Sequence, residues 1–60
     1  GDCKPVGEGI SELRINYGKR YWVYYREQDG KIIPLLIGGD KSTQQHDIEK
    51  AKEIWKKLKK

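Results

Sequence analysis

The chain has 60 residues, of which 37% are charged and 35% hydrophobic, and its formal net charge is +4. A chain this short forms at most one domain, and folding buries only about 60% of the surface that the unfolded chain exposes. With Cys3 and His46 as its one cysteine and one histidine, it cannot form an intramolecular disulfide or a zinc site, so we expect no metal and no cofactor. The basic excess favours a polyanionic partner such as RNA, DNA, a ribosomal surface or an acidic protein segment, although simple solubility explains such a charge equally well.

The first nine residues, GDCKPVGEG, are rich in glycine and polar, which predicts an N-terminal loop over residues 1–9. They contain no apolar segment of the kind a secretory signal requires. The longest apolar run, residues 32–37, is far shorter than the ~20 residues of a membrane span. Together with the single thiol, these features predict a cytoplasmic protein with no membrane partner.

Two segments alternate between polar and apolar side chains. In residues 11–17, Leu13 and Ile15 fall on one side and Arg14 on the other, which is typical of a half-buried strand. Residues 20–26 alternate in the same way and are rich in aromatic and β-branched residues. Gly18 lies between the two segments and predicts a turn.

A third strand is predicted after the Asp29-Gly30 hairpin signal. Residues 31–37 are almost continuously apolar, which predicts a strand covered on both faces. Pro34 lies inside it and cannot donate a ladder hydrogen bond. It therefore indicates an edge strand, a bulge or a donor position that faces away from any neighbour.

The C-terminal part has a helical period. Ser42 and Gln45 are spaced as in a capping box, and apolar residues then recur at helical spacing, which predicts an amphipathic helix over residues 43–59. The predicted fold is α+β: one domain, residues 1–60, with a three-stranded antiparallel meander over residues 10–37 followed by one helix. One helix covers one face of such a sheet, so the other face is expected to meet water, a partner chain or residues outside this sequence.

Cations interleaved with aromatic rings form the main candidate site. If the first two predicted strands pair in register, Arg14 shares a face with Arg20, Trp22 and Arg26. Lys41 lies just before the helix N-terminus, whose backbone N–H groups also attract anions. Such a surface suits a phosphodiester backbone and stacked bases, although an ordinary solvated strand face is nearly as consistent with the pattern.

Two other candidates for chemistry are weaker. Cys3 and His46 could in principle form a nucleophile and a base, but nothing positions the thiol, so an incidental cysteine is expected. His46 and Asp47 are neighbours on a helix and do not face each other, so Asp47 is expected to serve capping and first-turn electrostatics. His46 could still protonate near neutral pH and act as an acid.

Three segments together resemble a known family. They are VGEGISELRI at residues 6–15, YWVYY at residues 21–25, and GGDKSTQQ at residues 38–45 followed by Asp47-Ile48. In order and spacing they resemble the addiction-module killer proteins of the RelE/HigB-like toxin superfamily, over nearly the whole chain. Members of that family are longer and carry two N-terminal helices before the sheet. The resemblance therefore implies a fragment, or a naturally shortened copy, of a RelE-like fold without its helical hairpin.

The resemblance also implies a function. RelE-type toxins are metal-independent endoribonucleases, most of which cleave mRNA in the ribosomal A site and are held inactive by an antitoxin, here expected to be of helix-turn-helix type. By motif position, Arg14 would hold phosphate and Lys41 would supply a second cation or transfer a proton. Asp40, Gln44 and Asp47 would shape the loop and the helix start. The remaining residues expected to contact RNA are Arg20, Trp22, Tyr24, Arg26, Gln44 and His46.

One departure from the family pattern affects the expected activity. The second strand of the family commonly reads Tyr-Arg-Val-Tyr, where this chain has Trp22 in place of the arginine. Arg20 lies two residues away on the same face, about 7 Å along the strand. The sequence thus predicts a toxin-type ribonuclease that is inactive in this short form if Arg20 does not substitute. The alternatives are a non-catalytic remnant that binds RNA or an antitoxin, and a structural domain that dimerises through its bare sheet face.

Overall fold

The computed structural model describes residues 3–59, and within them four strands precede one α-helix. The elements are β1 (Cys3–Gly7), β2 (Ile10–Tyr17), β3 (Lys19–Gln28), β4 (Lys31–Gly38), a 3₁₀ turn (Lys41–Thr43) and α1 (Gln44–Leu58). The strands form one sheet in the order β1-β2-β3-β4, and each pair of neighbours is antiparallel. The α+β prediction with a C-terminal helix is confirmed, whereas the prediction of three strands is wrong because the described residues form four.

The additional strand, β1, lies in the segment predicted as an N-terminal loop. It pairs with β2 through a two-residue turn in which Glu8 and Gly9 have φ angles of 54° and 77°. Positive φ at both central residues is the geometry of a hairpin turn whose twist matches that of the strands. Glycine at the second of these positions makes the turn possible, so this glycine-rich stretch builds a hairpin. The first two residues of the predicted loop lie outside the described residues.

The other two turns form where the sequence predicts them. Gly18, with φ 73°, connects β2 to β3 so tightly that Tyr17 pairs with Lys19. Asp29 and Gly30 both have positive φ and connect β3 to β4. Each of the three hairpins therefore has glycine at a position where other residues would be strained.

Strand β4 lies at the edge of the sheet. The prediction that it is covered on both faces is wrong. Ile32 and Ile37 remain 61% and 68% exposed. The register shifts where Tyr24 pairs with Leu36 and the next residue of β3 pairs with Pro34, so Leu35 forms a bulge. This edge strand with a bulge beside Pro34 accommodates a residue that cannot donate a ladder hydrogen bond.

The start of α1 is organised by Asp40 and not by the predicted capping box. The Asp40 carboxylate accepts hydrogen bonds of 2.9 Å from both the backbone N–H and the hydroxyl of Ser42. These bonds hold the pKa of Asp40 below its usual value. The Thr43 hydroxyl donates to the Asp40 carbonyl and to the Asp47 carboxylate, each over 3.1 Å. Asp40 and Asp47 therefore shape the loop and the helix start, as predicted.

The two faces of the sheet differ in cover. The face under α1, here called the helix face, carries the buried side chains Ile10, Glu12, Trp22 and Tyr24, and Ala51 packs there from the helix. Side chains alternate along a strand, so the intervening residues lie on the opposite face. This second face, here called the open face, is formed mainly by Leu13, Ile15, Tyr21, Val23, Tyr25 and Ile37.

Candidate functional site

The pairing of β2 with β3 places the predicted cations on one face. Arg14 lies opposite Trp22, and Asn16 lies opposite Arg20. Cross-strand partners point to the same side of a sheet, so Arg14, Trp22 and Arg20 all lie on the helix face. The register that the sequence analysis assumed is therefore the observed one.

The loop before α1 completes a cavity at this end of the helix face. Lys41 from the 3₁₀ turn and Gln44 from the first turn of α1 line it together with Arg14, Arg20 and Trp22. The cavity has a volume of ≈310 Å³. Glu12 and the β1 residues Cys3 and Lys4 also line it, and we refer to this space as the cationic pocket. Four of the residues that line it carry a positive charge, and they come from four separate elements: Lys4 from β1, Arg14 from β2, Arg20 from β3 and Lys41 from the 3₁₀ turn.

Glu12 is a residue of this pocket for which the sequence analysis proposed no role. It is only 4% exposed, although it carries a carboxyl group. The amide of Gln44 donates to its Oε2 over 2.7 Å, and the Lys4 ammonium lies 3.5 Å from its Oε1. A buried carboxylate is stable only with such partners. The signal in the sequence is its position two residues before Arg14, on the same side of a strand.

The cationic pocket continues into a second hollow along the start of α1. This hollow shares Lys4, Glu12, Lys41 and Gln44 with the first, and it extends to Lys52 on the helix. The two spaces form one groove between β1 and the helix start. A groove open along its length suits a polymer better than a small molecule, because a polymer must leave the site at both ends.

Tyr24 and Arg26 lie away from this pocket. Tyr24 is 0% exposed, and burial, with a smaller effect of the Glu12 and Asp47 carboxylates, raises its pKa to about 12. Its ring belongs to the core and offers no exposed surface for a base. The Arg26 guanidinium stacks 4.5 Å above the centre of the Trp55 ring and donates to the carbonyl of Glu8 over 3.3 Å. It ties the β1–β2 turn to α1.

Trp22 lines the cationic pocket, but it is also a core residue. Only 6% of its surface is exposed, and it packs within the cluster formed with Ile10, Tyr24 and Ala51. In this position its ring forms part of the wall of the pocket, and stacking of a base on its face would require the side chain to move.

His46 and Cys3 occupy different parts of the molecule. His46 is exposed on α1, and its Nδ1 lies 4.0 Å from the Asp47 carboxylate. It does not line the cationic pocket. The Cys3 thiol contacts the hydroxyl of Tyr25, and this hydrogen bond raises the pKa of Tyr25. The two residues proposed as a nucleophile and a base are therefore on separate elements with no contact between them.

Within residues 3–59, no group of His, Cys, Asp or Glu side chains is arranged to hold a metal ion. No helix in this range has the length and apolar character needed to cross a membrane.

Comparison with known proteins gives one informative match. The chain is 52% identical over 58 residues to an uncharacterized protein of Haemophilus influenzae (strain ATCC 51907 / DSM 11121 / KW20 / Rd). The match covers 97% of this chain but 59% of the relative, so the chain spans less than two thirds of the length of that protein. No protein-family model and no solved structure matches the chain.

Proposed function

We propose that this chain is a toxin-type endoribonuclease domain of the RelE/HigB kind, which binds a phosphodiester of mRNA in the cationic pocket and acts in the cytoplasm. The observation that carries the proposal is that Arg14 and Lys41, 27 positions apart, line the same cavity. The resemblance of three sequence segments to that superfamily supplies the reaction. It also implies a helix-turn-helix antitoxin as the partner that holds the domain inactive.

In the proposed reaction, a ribose 2′-hydroxyl attacks the adjacent phosphorus and the 5′-oxygen leaves. Such a reaction needs a base for the 2′-proton, cations for the phosphoryl oxygens and an acid for the leaving oxygen. Arg14 and Arg20 would hold the phosphoryl oxygens, and Lys41 would neutralise or protonate the leaving oxygen. Glu12 is the carboxylate in reach of the same space, so we assign it the proton from the 2′-hydroxyl.

The arrangement of Glu12 favours this role over a purely structural one. Its two partners, Gln44 and Lys4, approach different oxygens of the carboxylate and leave it facing the pocket lined by Arg14. A carboxylate in this position requires no metal ion to remove a proton. The reaction balances. Glu12 takes the proton from the 2′-oxygen and Lys41 gives one to the 5′-oxygen, and transfer of a proton from Glu12 to Lys41 then restores both groups. The products of the reaction are a 2′,3′-cyclic phosphate and a free 5′-hydroxyl.

The test is cleavage of a labelled single-stranded RNA, in the presence of a chelator, by the chain and by matched variants. Arg14→Ala and Lys41→Ala should each lower the cleavage rate by about 100-fold or more, the size found when one transition-state donor is removed. Lys31→Ala is the control. It removes the same charge at the exposed β3–β4 turn, outside the pocket, and should leave cleavage unchanged. Unchanged cleavage in both pocket variants would rule out the assignment.

A non-catalytic RNA-binding remnant is the second candidate, and one observation favours it. Trp22 stands where the family pattern has an arginine, and it is buried in the core. In that case the wild-type chain binds RNA without cutting it, and Arg14→Ala weakens binding. Glu12→Gln separates the candidates, because it should abolish cleavage but retain RNA binding if Glu12 is the base. If neither wild type nor variant produces cyclic phosphate ends, the remnant is the correct interpretation.

A further inference from the structure

The open face is an apolar surface with no cover from the described residues. Tyr21 and Ile15 on it are 37% and 38% exposed, and Ile37 is exposed more strongly still. The chain exposes 4594 Å² in total, against about 4,000 Å² expected for a folded protein of its mass. The excess agrees with a sheet that the described helix covers on one side. Exposed apolar patches of this kind mark interaction surfaces.

The size of the open face is of the order that a protein partner needs. Four strands about 4.8 Å apart form a layer about 19 Å wide, and the central strands of eight and ten residues make it about 26–33 Å long. Protruding side chains make the accessible area of this face larger than its projection, so it approaches the roughly 800 Å² that each partner contributes to a stable interface of standard size. Along β3, the charged side chains on this face are Lys19 and Glu27, one at each end of the strand. A single cation beside an apolar surface does not favour RNA as the partner.

The order of residues along β3 identifies the partner. The side chains that β3 presents to the open face are Lys19, Tyr21, Val23, Tyr25 and Glu27. This series is a charge-complementary palindrome: a cation and an anion at the ends, a tyrosine on either side and valine at the centre. A second copy turned by 180° about an axis that crosses β3 at Val23 places each lysine near a glutamate and each tyrosine near a tyrosine.

We propose that the open face binds a second copy of this chain, related by a two-fold axis that lies in the face, runs across the strands and passes Val23. Two sheets then stack face to face about 10 Å apart, with their strands nearly antiparallel. The same axis brings the two copies of Leu13 together, because Leu13 pairs with Val23. It also brings the two copies of Cys3 together, because Cys3 in β1 pairs with Leu13 in β2 and so lies on the same line across the strands. This inference is independent of the proposed function, because Glu12, Arg14 and Arg20 lie on the helix face, although Cys3 borders both the pocket and the open face.

Sedimentation equilibrium of the 60-residue chain over a range of concentrations tests the association. The expected result is a reversible species of twice the 7.0 kDa chain mass. Val23→Lys should raise the dissociation constant by at least about 100-fold, because it brings two like charges together at the axis. Gln28→Lys is the control, since Gln28 is exposed at the end of β3 and points to the helix face, so the substitution adds the same charge outside the proposed interface. A monomer at every concentration, or a dimer unaffected by Val23→Lys, would overturn the proposal.

Charge reversal tests the orientation of the copies and does not depend on whether Val23→Lys folds. Lys19→Glu and Glu27→Lys should each weaken the dimer by roughly tenfold at low salt, since each variant places like charges together. The double variant should restore the wild-type dissociation constant. A double variant as weak as the singles would show that the two residues do not meet across the interface.

The native thiol provides a second measure of the axis. A short bis-maleimide should link two chains through Cys3 in the wild type, and the yield should fall in the Val23→Lys variant. A two-fold axis parallel to the strands would instead separate the two thiols by the width of the sheet. A stable dimer that gives no crosslink would therefore exclude the proposed axis.

Discussion

The two faces of this sheet are built from the same strands but differ in composition and in cover. The helix face buries a carboxylate and a tyrosine hydroxyl, Glu12 and Tyr24, and carries cations at one end. The open face is almost entirely apolar and remains exposed. The helix α1 therefore lies over the face that holds the cationic pocket, and the more apolar face has no cover from the described residues. In the proposals made above, the first face carries the chemistry and the second carries the association.

The clearest expected difference concerns side chains of one type on the two faces. Tyr24→Ala removes a fully buried ring and should cost about 3–5 kcal/mol, which is as much as a core of this size provides. Tyr17→Ala, on the open side at the tip of β2, should change the free energy of unfolding by less than about 0.5 kcal/mol. Urea unfolding followed by circular dichroism measures both. Equal losses in the two variants would show that the faces do not differ in stability as described.

Alkaline pH should weaken the helix face through the same residue. Burial raises the pKa of Tyr24 to about 12 from its ordinary value of 10.0, so the hydroxyl ionises at a lower pH in the unfolded chain than in the folded one. The contribution of the neutral Tyr24 hydroxyl to the free energy of unfolding is complete below pH 10. It is lost as the pH rises through the pKa of Tyr24 in the folded chain, and the total loss is about 2–3 kcal/mol.

The control for the alkaline titration is Tyr24→Phe. Its hydroxyl has no hydrogen-bond partner among the described residues, so the variant should fold at neutral pH with equal or greater stability. Its free energy of unfolding should fall less steeply than that of the wild type between pH 10 and 12. Parallel curves for the two proteins would assign the alkaline loss to other groups.

A smaller effect is expected where the chain leaves the sheet. A Cβ at Gly38 would lie 2.6 Å from the Asp47 carboxylate and 3.3 Å from the Tyr24 ring, whereas a Cβ at Gly39 would meet nothing within 4 Å. Gly38→Ala should therefore cost about 1–2 kcal/mol, because it displaces a carboxylate that helps to hold the helix start. Gly39→Ala should be neutral within about 0.5 kcal/mol. Thermal melting of the adjacent pair gives the difference directly, and similar melting temperatures would mean that Asp47 moves aside freely.

The sequence predicted those parts of the fold that depend on local chemistry. The Asp29-Gly30 turn and the helix with Ala51 on its buried side follow from residue type and period, and both are observed. The strand β1 does not follow from local chemistry, because the first residue of its turn is Glu8, which has no special preference for positive φ. Only Gly9 signals a hairpin there, and in a glycine-rich stretch the same signal indicates a loop equally well.

The cover of each face could not be predicted in the same way. Alternation along β2 separates Leu13 from Glu12, but it does not determine which side the helix occupies, since that depends on contacts far apart in the chain. The run at residues 31–37 suggested cover on both sides, yet an edge strand next to an open face is equally apolar. At the candidate site, the register of the β2–β3 hairpin was enough to predict that Arg14 and Trp22 lie on the same face of the sheet. The burial of Glu12 under Gln44 required the three-dimensional structure.

The arrangement of the sheet as a simple meander affects how the protein folds. Every strand pairs with the strand next to it in sequence, through turns of one or two residues. No pairing has to wait for a long segment to diffuse into place, so little chain entropy opposes each step. Single hairpins form in about 1–10 μs, and folds dominated by such local contacts reach their native state quickly. We therefore expect zipper-like assembly of the strands, with α1 docking onto a sheet that has already formed.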